Sequence, residues 1–453
     1  MQRAPDGDAL LNGVRLEQLL ETDDGRIATP AYFYDLDAIA AEVRDIRSAF
    51  GAQRHLVAYA VKANSAGPIV RAVAGEGGGA DVVSAAELKL VRMLGVAANG
   101  VVFSGVAKTD REIDLAIGDG ASGILAIQAE SIEEIPRIDA RARALGRIAR
   151  ISFRVNPGIE ADTHAYIATG HDEAKFGIPR AEIGSAVEAV AAAPNVQLVG
   201  VGNHIGSQLT VTDAYVGAVR MLIPVFAACE TAMVQRGRPA LEILDCGGGF
   251  GIDYGTAPVG SGRAERAADP GGTPRAQEEK SRVVRPAEFV RALISEVDRA
   301  GLSHTRVVVE PGRSIVGAHG VLCASVIMQK RARPNEAERR WLMIDAGMND
   351  LIRPALYQAL HRIEPLRKRD GESIATFRVV GPVCESSDDF GAHELPDPPP
   401  AHVVLRDAGA YGFTMASQYN GRALPTEVFL SGGKVVSTLR SADADAWVRS
   451  RVG

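Results

Sequence analysis

The sequence predicts a TIM-type (β/α)8 barrel joined to a second, mostly antiparallel β domain. A short β-branched run followed by a longer stretch with helical apolar spacing occurs eight times between about Leu56 and Glu310. This span of about 255 residues is a usual size for such a barrel. After Glu310 the β-rich runs continue without regular helical spacers, which favours a separate sheet domain. We therefore expect two domains in this chain of 453 residues.

The eight short runs are expected to be the parallel strands of the barrel. In chain order they are LVAYAV (56–61), ADVVS (80–84), GVVFS (100–104), GILAI (123–127), ISFRV (151–155), LVGVGN (198–203), LEILDC (241–246) and RVVVE (306–310). Segments between them, such as AAELKLVRML (85–94) and DREIDLAI (110–117), carry apolar residues at helical spacing. Helices of this kind cover the outside of a parallel sheet.

The remaining chain is expected to form the β domain from both ends of the sequence. Its strand candidates after the barrel are VLCASVIM (321–328), RRWLMID (339–345), ATFRVVG (375–381), HVVLRDA (402–408), TEVFLSG (426–432) and KVVSTLR (434–440). The stretch ending in AYFYDLD (31–37) is too short to be a domain and is expected to add a strand to this sheet. We place the boundaries at 1–37, 38–312 and 313–453.

One segment of the barrel region has a different composition. Residues 255–282 are rich in Gly, Pro, Ala and charge and have almost no large apolar side chains. This composition predicts a mobile surface loop. Because the segment follows a glycine-rich loop, a lid over the site is the alternative, and we favour plain mobility.

Composition and charge exclude several classes of protein. The net charge is −6 and no block of one sign stands out, so nothing indicates nucleic-acid binding. The four cysteines lie far apart without a C-x-x-C pair, which predicts reduced thiols and neither a disulfide framework nor a metal site. The N-terminus lacks the features of a signal peptide, and no window approaches eighteen uninterrupted apolar residues. We expect a cytoplasmic protein without a membrane segment.

Reactive side chains follow most of the predicted strands. In a TIM barrel the active site is built at the carboxyl ends of the strands, so these positions converge on one rim. Taken singly, a lysine after a strand is usually a solvent-exposed residue, and a single histidine usually has a structural function. Together they predict a catalytic site. The rim positions are Lys62, Ser84, Glu87, Arg154, Asn156, His204, Gly247–Gly251, Glu310 and Arg313.

The glycine-rich stretch DCGGGFGIDYG (245–255) is the densest signal among them. Backbone N–H groups in such a loop can approach an anion closely, although a simple tight turn is the alternative. A dinucleotide fingerprint is disfavoured because position 252, where it needs glycine, is Ile252. A phosphate loop, a lysine, a histidine and a carboxylate on one rim favour pyridoxal 5′-phosphate. Lys62 would then form the Schiff base, Glu310 would meet the pyridine nitrogen, and His204 would lie against the ring.

Twelve ordered motifs between about Pro30 and Leu430 closely resemble the diaminopimelate decarboxylase family. That family consists of pyridoxal-phosphate-dependent enzymes with a barrel and a β domain, related to ornithine decarboxylase and alanine racemase. The motifs are YAVKAN (59–64), GADVVSAAEL (79–88), VFSGVAKT (102–109), RVNPG (154–158), H-x-Y-I-x-T-G (164–170), KFGI (175–178), HIGSQLT (204–210), GGGFG (247–251), EPGRSIV (310–316), DAGMNDLIRPALY (345–357), GPVCESSD (381–388) and DAGAYGF (407–413).

The resemblance implies roles for individual residues. It implies that Lys62, His204 and Cys384 are catalytic, with Cys384 as the proton donor rather than a buried apolar thiol. It implies a cofactor site made of Lys62, Asp81, Arg154, His204, Ser207, Gly247, Gly248, Gly249, Gly251, Glu310, Gly312, Arg313 and Tyr411. It implies a substrate site made of Arg313, Arg353, Tyr357, Glu385 and Tyr411. It further implies an obligate homodimer in which Cys384 and Glu385 reach the partner's barrel.

The substrate implied is meso-2,6-diaminopimelate, decarboxylated to L-lysine and carbon dioxide in the last step of lysine biosynthesis. Arg353 with Arg313 can hold a distal carboxylate while Glu385 takes the distal ammonium. A paralogue acting on ornithine, lysine or a glutamyl derivative is the alternative. Glu310 speaks against a racemase, which would usually carry arginine at the pyridine nitrogen. An inactive relative that only binds the cofactor or a partner is disfavoured because Lys62, the glycine loop and Cys384 are intact.

Overall fold

The chain folds as two compact units, and each is described by itself. The computed structural model describes residues 1–20, 27–156, 175–255, 283–330, 340–440 and 444–452. The barrel unit consists of Ala40–Ile252 and Arg282–Ile315. The β unit consists of Met1–Ile39, Asp253–Ser281 and Val316–Gly453. The expected mobile loop at 255–282 lies outside the described residues except for Gly255, and so does the motif at 164–170.

The barrel unit contains eight parallel strands that close on themselves. In chain order they are His55–Ala60, Gly79–Val82, Val101–Phe103, Ala126–Ala129, Ala149–Asn156, Val196–Gly202, Ile243–Gly248 and Arg306–Glu310. The eighth strand pairs with the first through Val307 and His55, which closes the ring. A short strand, Ile178–Pro179, adds to the end of the fifth. Buried apolar side chains, including Ala58, Val102 and Ile243, pack in one cluster formed by six of the strands.

Helices follow the barrel strands in alternation. They are Gly67–Gly75, Ala85–Met93, Asp110–Gly118, Glu134–Ala144, Ile183–Ala191, Asp213–Gln235, Pro286–Arg299 and the short Arg313–Val316, with Leu36–Ser48 ahead of the first strand and 3-10 turns at Val61–Ala63, Ala98–Gly100 and Arg180–Glu182. Local sequence fixes several starts. The Thr109 side chain accepts from the Glu112 backbone N–H while the Glu112 carboxylate accepts from Thr109, a reciprocal capping box. Ser84 caps the preceding helix, Ala85–Met93, by accepting from the Glu87 N–H at 3.2 Å.

The helix Asp213–Gln235 is the longest and is apolar enough to cross a membrane by length and composition. It packs on the sixth and seventh barrel strands and on the helix Pro286–Arg299. Its buried side chains include Tyr215, Leu222 and Phe226. These contacts are those of a barrel helix.

The β unit is built on one nine-stranded sheet of mostly antiparallel pairs. Its strands are Ala31–Asp35, Gly320–Lys330, Arg340–Ile344, Ile363–Pro365, Ile374–Val380, Asp389–Pro396, His402–Leu405, Thr426–Ser431 and Lys434–Leu439. A small sheet of Gln2–Arg3, Ala9–Leu11 and Val14–Arg15 accompanies it, with helices Leu16–Leu20, Arg353–Tyr357 and Ala444–Val452 and 3-10 turns Phe413–Met415 and Tyr419–Gly421. Phe33, Val321, Val404 and Val428 share its core.

The predicted fold class is confirmed. All eight predicted barrel runs are strands, and Ala31–Asp35 lies in the β unit between Gly320–Lys330 and Thr426–Ser431, as expected for the N-terminal segment. Two strands of the sheet, Ile363–Pro365 and Asp389–Pro396, are missing from the prediction. The exact boundaries at 37 and 312 stay a prediction.

Candidate active site

Lys62 lies at the carboxyl end of the first barrel strand. The strand ends at Ala60, and the 3-10 turn Val61–Ala63 carries the lysine. Its Nζ donates a hydrogen bond to Asp81 Oδ2 at 2.9 Å, from the neighbouring second strand. Asp81 is fully buried, whereas the Lys62 side chain is 39% exposed. The Lys62 amine is therefore hydrogen-bonded to a buried carboxylate, on a side chain that a reacting molecule can still reach.

Glu310 ends the eighth strand, which is paired with the strand that precedes Lys62. It is buried, and its Oε1 has no hydrogen-bond partner among the described residues. Burial raises the pKa of this carboxyl well above its usual range, and the nearby charges of Asp245 and Asp81 raise it further. Burial also raises the pKa of Asp245. The Glu310 and Asp245 carboxyls each influence the other's ionisation. A state in which one of the two carboxyls is protonated is therefore favoured.

The glycine loop packs directly on the segment that follows the sixth strand. A Cβ on Gly249 would lie 2.1 Å from the Gly206 carbonyl oxygen, and Gly249 has a φ of +91°. The Leu209 N–H donates to the Gly249 carbonyl at 2.8 Å, and the Gly251 N–H donates back to the Leu209 carbonyl at 2.8 Å. Cβ atoms on Gly247, Gly248 and Gly251 would also lie within 2.8 Å of neighbouring backbone oxygens. The sequence uses glycine here because the backbones approach too closely for any side chain.

His204 lies two residues after the end of the sixth strand and is hydrogen-bonded to the glycine loop. Its Nδ1 accepts a hydrogen bond from the Gly248 N–H at 3.3 Å. Burial lowers the pKa of His204 well below its usual value, and the positive charges of Arg154 and Lys62 lower it further. Because Nδ1 accepts, the neutral ring carries its proton on Nε2. The imidazole is therefore uncharged at neutral pH.

Ser207 and Arg313 link the loops that follow the sixth and eighth strands. The Arg313 guanidinium donates from NH2 to Ser207 Oγ at 3.0 Å. Arg313 is buried at the start of the short helix that follows Glu310. Gly312 lies beside the first strand, where its Cβ would be 3.0 Å from the Ala60 Cβ. A hydroxyl, a guanidinium and a glycine-rich backbone therefore share this side of the rim, and these are groups that bind phosphate.

Arg154 lies in the fifth strand at the end of a buried network of charges. Its NH1 donates to Glu130 Oε1 at 3.0 Å, and its guanidinium carbon lies 4.7 Å from the centre of the Phe176 ring. Glu130 also accepts from the backbone N–H groups of Gly105 and Gly177. The network continues through the Glu130 backbone N–H, which donates to the Glu134 carboxylate at 2.8 Å, and Glu134 is paired with the buried Lys108 at 3.3 Å. Arg154 is among the residues predicted from the sequence, whereas Glu130 and Glu134 are not.

The donor set of this rim fits pyridoxal 5′-phosphate. The buried Glu310 Oε1 is an oxygen to which a ring nitrogen could bond. Lys62 supplies an exposed amine near buried carboxylates. Ser207, Arg313 and the glycine loop supply donors for a phosphate. A neutral His204 can lie against an aromatic ring without adding charge.

The β unit carries the other predicted residues. Arg353 is buried at the start of the helix Arg353–Tyr357, and Tyr357 is half-buried at its end. Tyr411 is also half-buried and has a φ of +54°, a left-handed conformation that is uncommon for a tyrosine. Such strain is often found at functional sites.

Cys384 and Glu385 lie together on an exposed turn of the β unit. The thiol is exposed, unlike the three other cysteines, which contradicts the reading of Cys384 as a buried apolar residue. The Cys384 N–H donates to Asn420 Oδ1 at 3.1 Å, and the Tyr419 hydroxyl donates to Glu385 Oε1 at 2.6 Å. Tyr419 and Asn420 therefore orient this turn. The sequence gives no spacing signal for them, because they lie in a separate 3-10 turn.

Reading the strand ends should have found two further barrel residues: Glu130, which directly follows the fourth strand Ala126–Ala129, and Asp245. Asp245 lies in the seventh strand directly ahead of the glycine loop, and its Oδ1 accepts from the Gly247 N–H at 3.0 Å. In the described part of the chain, no group of three or more His, Cys, Asp or Glu side chains is arranged to hold a metal ion.

Comparisons with known proteins agree with this geometry. A family model described as pyridoxal-dependent decarboxylase, pyridoxal binding domain, matches residues 36–317. The diaminopimelate decarboxylase of Neisseria meningitidis serogroup B is 38% identical over 408 residues, covering 90% of this chain and 89% of that protein.

Solved structures give the same result. A crystal structure of Helicobacter pylori diaminopimelate decarboxylase complexed with L-lysine matches with a TM-score of 0.81 at 33% identity, covering 96% of this chain and 99% of that one. The M. jannaschii enzyme, also complexed with L-lysine, matches with a TM-score of 0.84 at 29% identity, covering 99% and 97%. The chain therefore belongs to the pyridoxal-dependent decarboxylases and, within them, to the diaminopimelate decarboxylases, the family that the motifs predict.

Proposed function

We propose that the chain catalyses the decarboxylation of meso-2,6-diaminopimelate to L-lysine and carbon dioxide, with pyridoxal 5′-phosphate as cofactor. The observation that carries the proposal is the arrangement of Lys62 and Glu310 at the ends of two adjacent barrel strands. The first presents an accessible amine and the second a buried carboxyl with an unpartnered oxygen. When bound, the cofactor supplies an electron-accepting ring that takes up the electron pair left at the substrate α-carbon.

Lys62 is the proposed attachment point of the cofactor. The Asp81 carboxylate accepts a hydrogen bond from Nζ at 2.9 Å, so the amine is oriented before it reacts. Because the Lys62 side chain is 39% exposed, a substrate amine can reach the same place. Asp81, being fully buried, is a fixed partner for the ammonium form.

Glu310 and His204 are proposed to control the cofactor ring. Burial and nearby carboxylates raise the pKa of Glu310, so its carboxyl can hold a proton and would share it with the ring nitrogen of the bound cofactor. His204, uncharged because burial lowers its pKa, can lie against the face of the ring. Its Nδ1 bond to the Gly248 N–H fixes the imidazole relative to the glycine loop, which with Ser207 is proposed to bind the phosphate.

The β unit is proposed to supply the proton donor and most of the substrate contacts. Cys384 would donate a proton to the α-carbon after carbon dioxide leaves, and its thiol is exposed. Arg353 and Arg313 would take the distal carboxylate, and Glu385 the distal ammonium. Tyr357 and Tyr411 are further proposed substrate contacts, and Tyr411 also contacts the cofactor in this proposal.

We propose a homodimer in the cytoplasm as the working form. Cys384 and Glu385 lie on an exposed turn, as expected of residues that complete a site in a partner subunit. The four cysteines are free, in keeping with a reducing compartment.

The test is an assay with purified protein loaded with pyridoxal 5′-phosphate. We expect carbon dioxide and L-lysine from meso-diaminopimelate, and no carbon dioxide from ornithine, L-lysine or a glutamyl derivative. The Lys62→Ala variant is the control, which should lose both the product and the visible absorbance of the lysine-bound cofactor. Release of carbon dioxide from ornithine but not from meso-diaminopimelate would overturn the substrate. An intact absorbance band without any product would overturn the enzyme class.

A further inference from the structure

We propose that His361, together with Tyr254, is a positioning residue for the Arg353 guanidinium and thereby makes a distal carboxylate necessary for tight binding. This inference rests on the proposed function, in which Arg353 takes that carboxylate. All three residues belong to the β unit. Neither His361 nor Tyr254 is among the residues that the sequence motifs indicate.

A left-handed turn brings His361 back to Arg353. The helix Arg353–Tyr357 ends at Gln358, which has φ 54° and ψ 27°. The Gln358 N–H donates to the Arg353 carbonyl, and the Ala359 N–H reaches the same oxygen at 3.3 Å. The chain therefore reverses within a few residues, and His361 Nε2 lies 2.8 Å from Arg353 NH1.

The hydrogen bonds fix which tautomer His361 adopts. A guanidinium can only donate, so Nε2 accepts from Arg353. Nδ1 must then carry the proton, and it donates to the Arg406 carbonyl oxygen at 2.9 Å. That carbonyl is itself held, because the Arg406 N–H donates to the Arg362 carbonyl at 2.9 Å. The imidazole is thus fixed at both nitrogens, and it is uncharged in this arrangement.

The Arg353 guanidinium also lies over the Tyr254 ring. The Arg353 guanidinium carbon lies 4.6 Å from the centre of the Tyr254 ring, within the range of a cation–π contact. The Tyr254 ring also meets the His361 ring edge-on at 5.4 Å. The guanidinium is therefore contacted by two side chains, by His361 through a hydrogen bond and by Tyr254 through its ring. Arg353 and His361 are both buried, so these contacts are shielded from water.

The chemistry of the two partners explains why they suit a substrate site. A neutral imidazole and a phenol ring orient the guanidinium without neutralising it. Bidentate binding of a carboxylate needs a charged guanidinium whose plane is fixed. The geometry therefore points to a residue that prepares Arg353 for a carboxylate ligand.

The test compares two ligands that differ by one carboxylate. L-lysine keeps the distal carboxylate of the proposed substrate, and cadaverine has the same carbon chain without it. Binding of each to the protein loaded with pyridoxal 5′-phosphate is measured by calorimetry. His361→Asn removes the acceptor near Arg353 but keeps a donor for the Arg406 carbonyl. His361→Gln can keep an acceptor for Arg353.

We expect His361→Asn to weaken L-lysine binding by about 10- to 100-fold, the effect of losing one hydrogen bond to a charged group. Cadaverine binding should change by less than about threefold, and His361→Gln should keep most of the L-lysine affinity. In turnover, KM for meso-diaminopimelate should rise more than kcat falls. His393→Asn is the matched control, because His393 is also buried in the β unit and its Nε2 contacts the Phe390 carbonyl instead.

Equal losses for L-lysine and cadaverine, or unchanged L-lysine binding in folded His361→Asn, would overturn the inference. Thermal melting identifies a variant that has not folded. In that case Tyr254→Leu is decisive, and it should weaken L-lysine binding by about 3- to 30-fold and spare cadaverine. If the wild-type protein binds the two ligands equally, the proposed role of Arg353 is wrong and the inference falls with it. If the wild-type protein prefers L-lysine and the variants do as well, only the inference fails.

Discussion

Gly249→Ala is expected to weaken binding of pyridoxal 5′-phosphate by about 100-fold, because it displaces the phosphate loop. The new Cβ would lie 2.1 Å from the Gly206 carbonyl oxygen, whereas real Cβ contacts are essentially never under 3.0 Å. One of the two backbones must therefore shift by about 0.9 Å (3.0 − 2.1). A misplacement of about 1 Å can cost a factor of about 100 in rate where reacting groups must be aligned, and we expect a loss of similar size for a phosphate held by a fixed loop.

The matched control separates this displacement from backbone strain. Gly249 has a φ of +91°, so alanine there is strained whatever the space. Gly301 has a φ of +71° and nothing within 4 Å of its Cβ, so Gly301→Ala carries the strain without the collision. Cofactor affinity is measured by titrating the protein and following its visible absorbance, and melting temperatures are recorded without cofactor. If both variants bind the cofactor equally well, the close approach of the two loops does not matter and the reasoning is wrong.

Three further predictions concern other parts of the molecule. A 1:1 mixture of Lys62→Ala and Cys384→Ala subunits should regain about a quarter of wild-type activity if each site uses both subunits of a dimer, and activity that stays at zero would contradict shared sites. Glu427→Gln should stabilise the protein by about 3 kcal/mol at pH 8 and little at pH 4, measured by denaturant unfolding. Burial raises the Glu427 pKa from 4.5 to about 7. The free energy of unfolding of the wild-type protein therefore falls as pH rises between those two values. Glu130→Gln should lower the free energy of unfolding by about 3 kcal/mol, because it leaves the Arg154 guanidinium buried without its charged partner, and an unchanged unfolding midpoint would refute that.

The barrel was predictable because each of its strands is buried on both faces. Ala149–Asn156 and Val196–Gly202 are almost entirely buried, so they appear in the sequence as apolar runs bounded by helical segments. Asp389–Pro396 was missed because its burial does not alternate and its sequence contains glycine, histidine, glutamate and proline. It is a strand because its whole length pairs with Ile374–Val380. The hydrogen bonds that stabilise this strand come from its neighbour, so the sequence of the strand itself does not indicate them.

The same distinction applies to the site residues. Lys62, His204 and Glu310 were predictable because each lies at a strand end, where barrel topology brings side chains together. Glu130 also lies at a strand end, directly after Ala126–Ala129, and it was missed because the predicted run ended too early, at Ile127. His361 was not predictable, because its contact with Arg353 depends on a left-handed turn at Gln358. Glutamine is not a residue type that indicates such a turn.

The buried carboxylates of the rim explain why this site suits decarboxylation. Asp81 and Asp245 each make ionisation of Glu310 less favourable, which is why its pKa is raised. By linkage, a cation placed against Glu310 is stabilised by the same negative groups. A protonated ring nitrogen is such a cation, and it is the state in which a pyridine ring accepts electrons best. An arginine at this position would instead repel that proton and weaken the ring as an electron acceptor. In the proposed role of Glu310 at the ring nitrogen, the carboxyl cluster would thus help to stabilise the negative charge that departure of carbon dioxide leaves on the α-carbon.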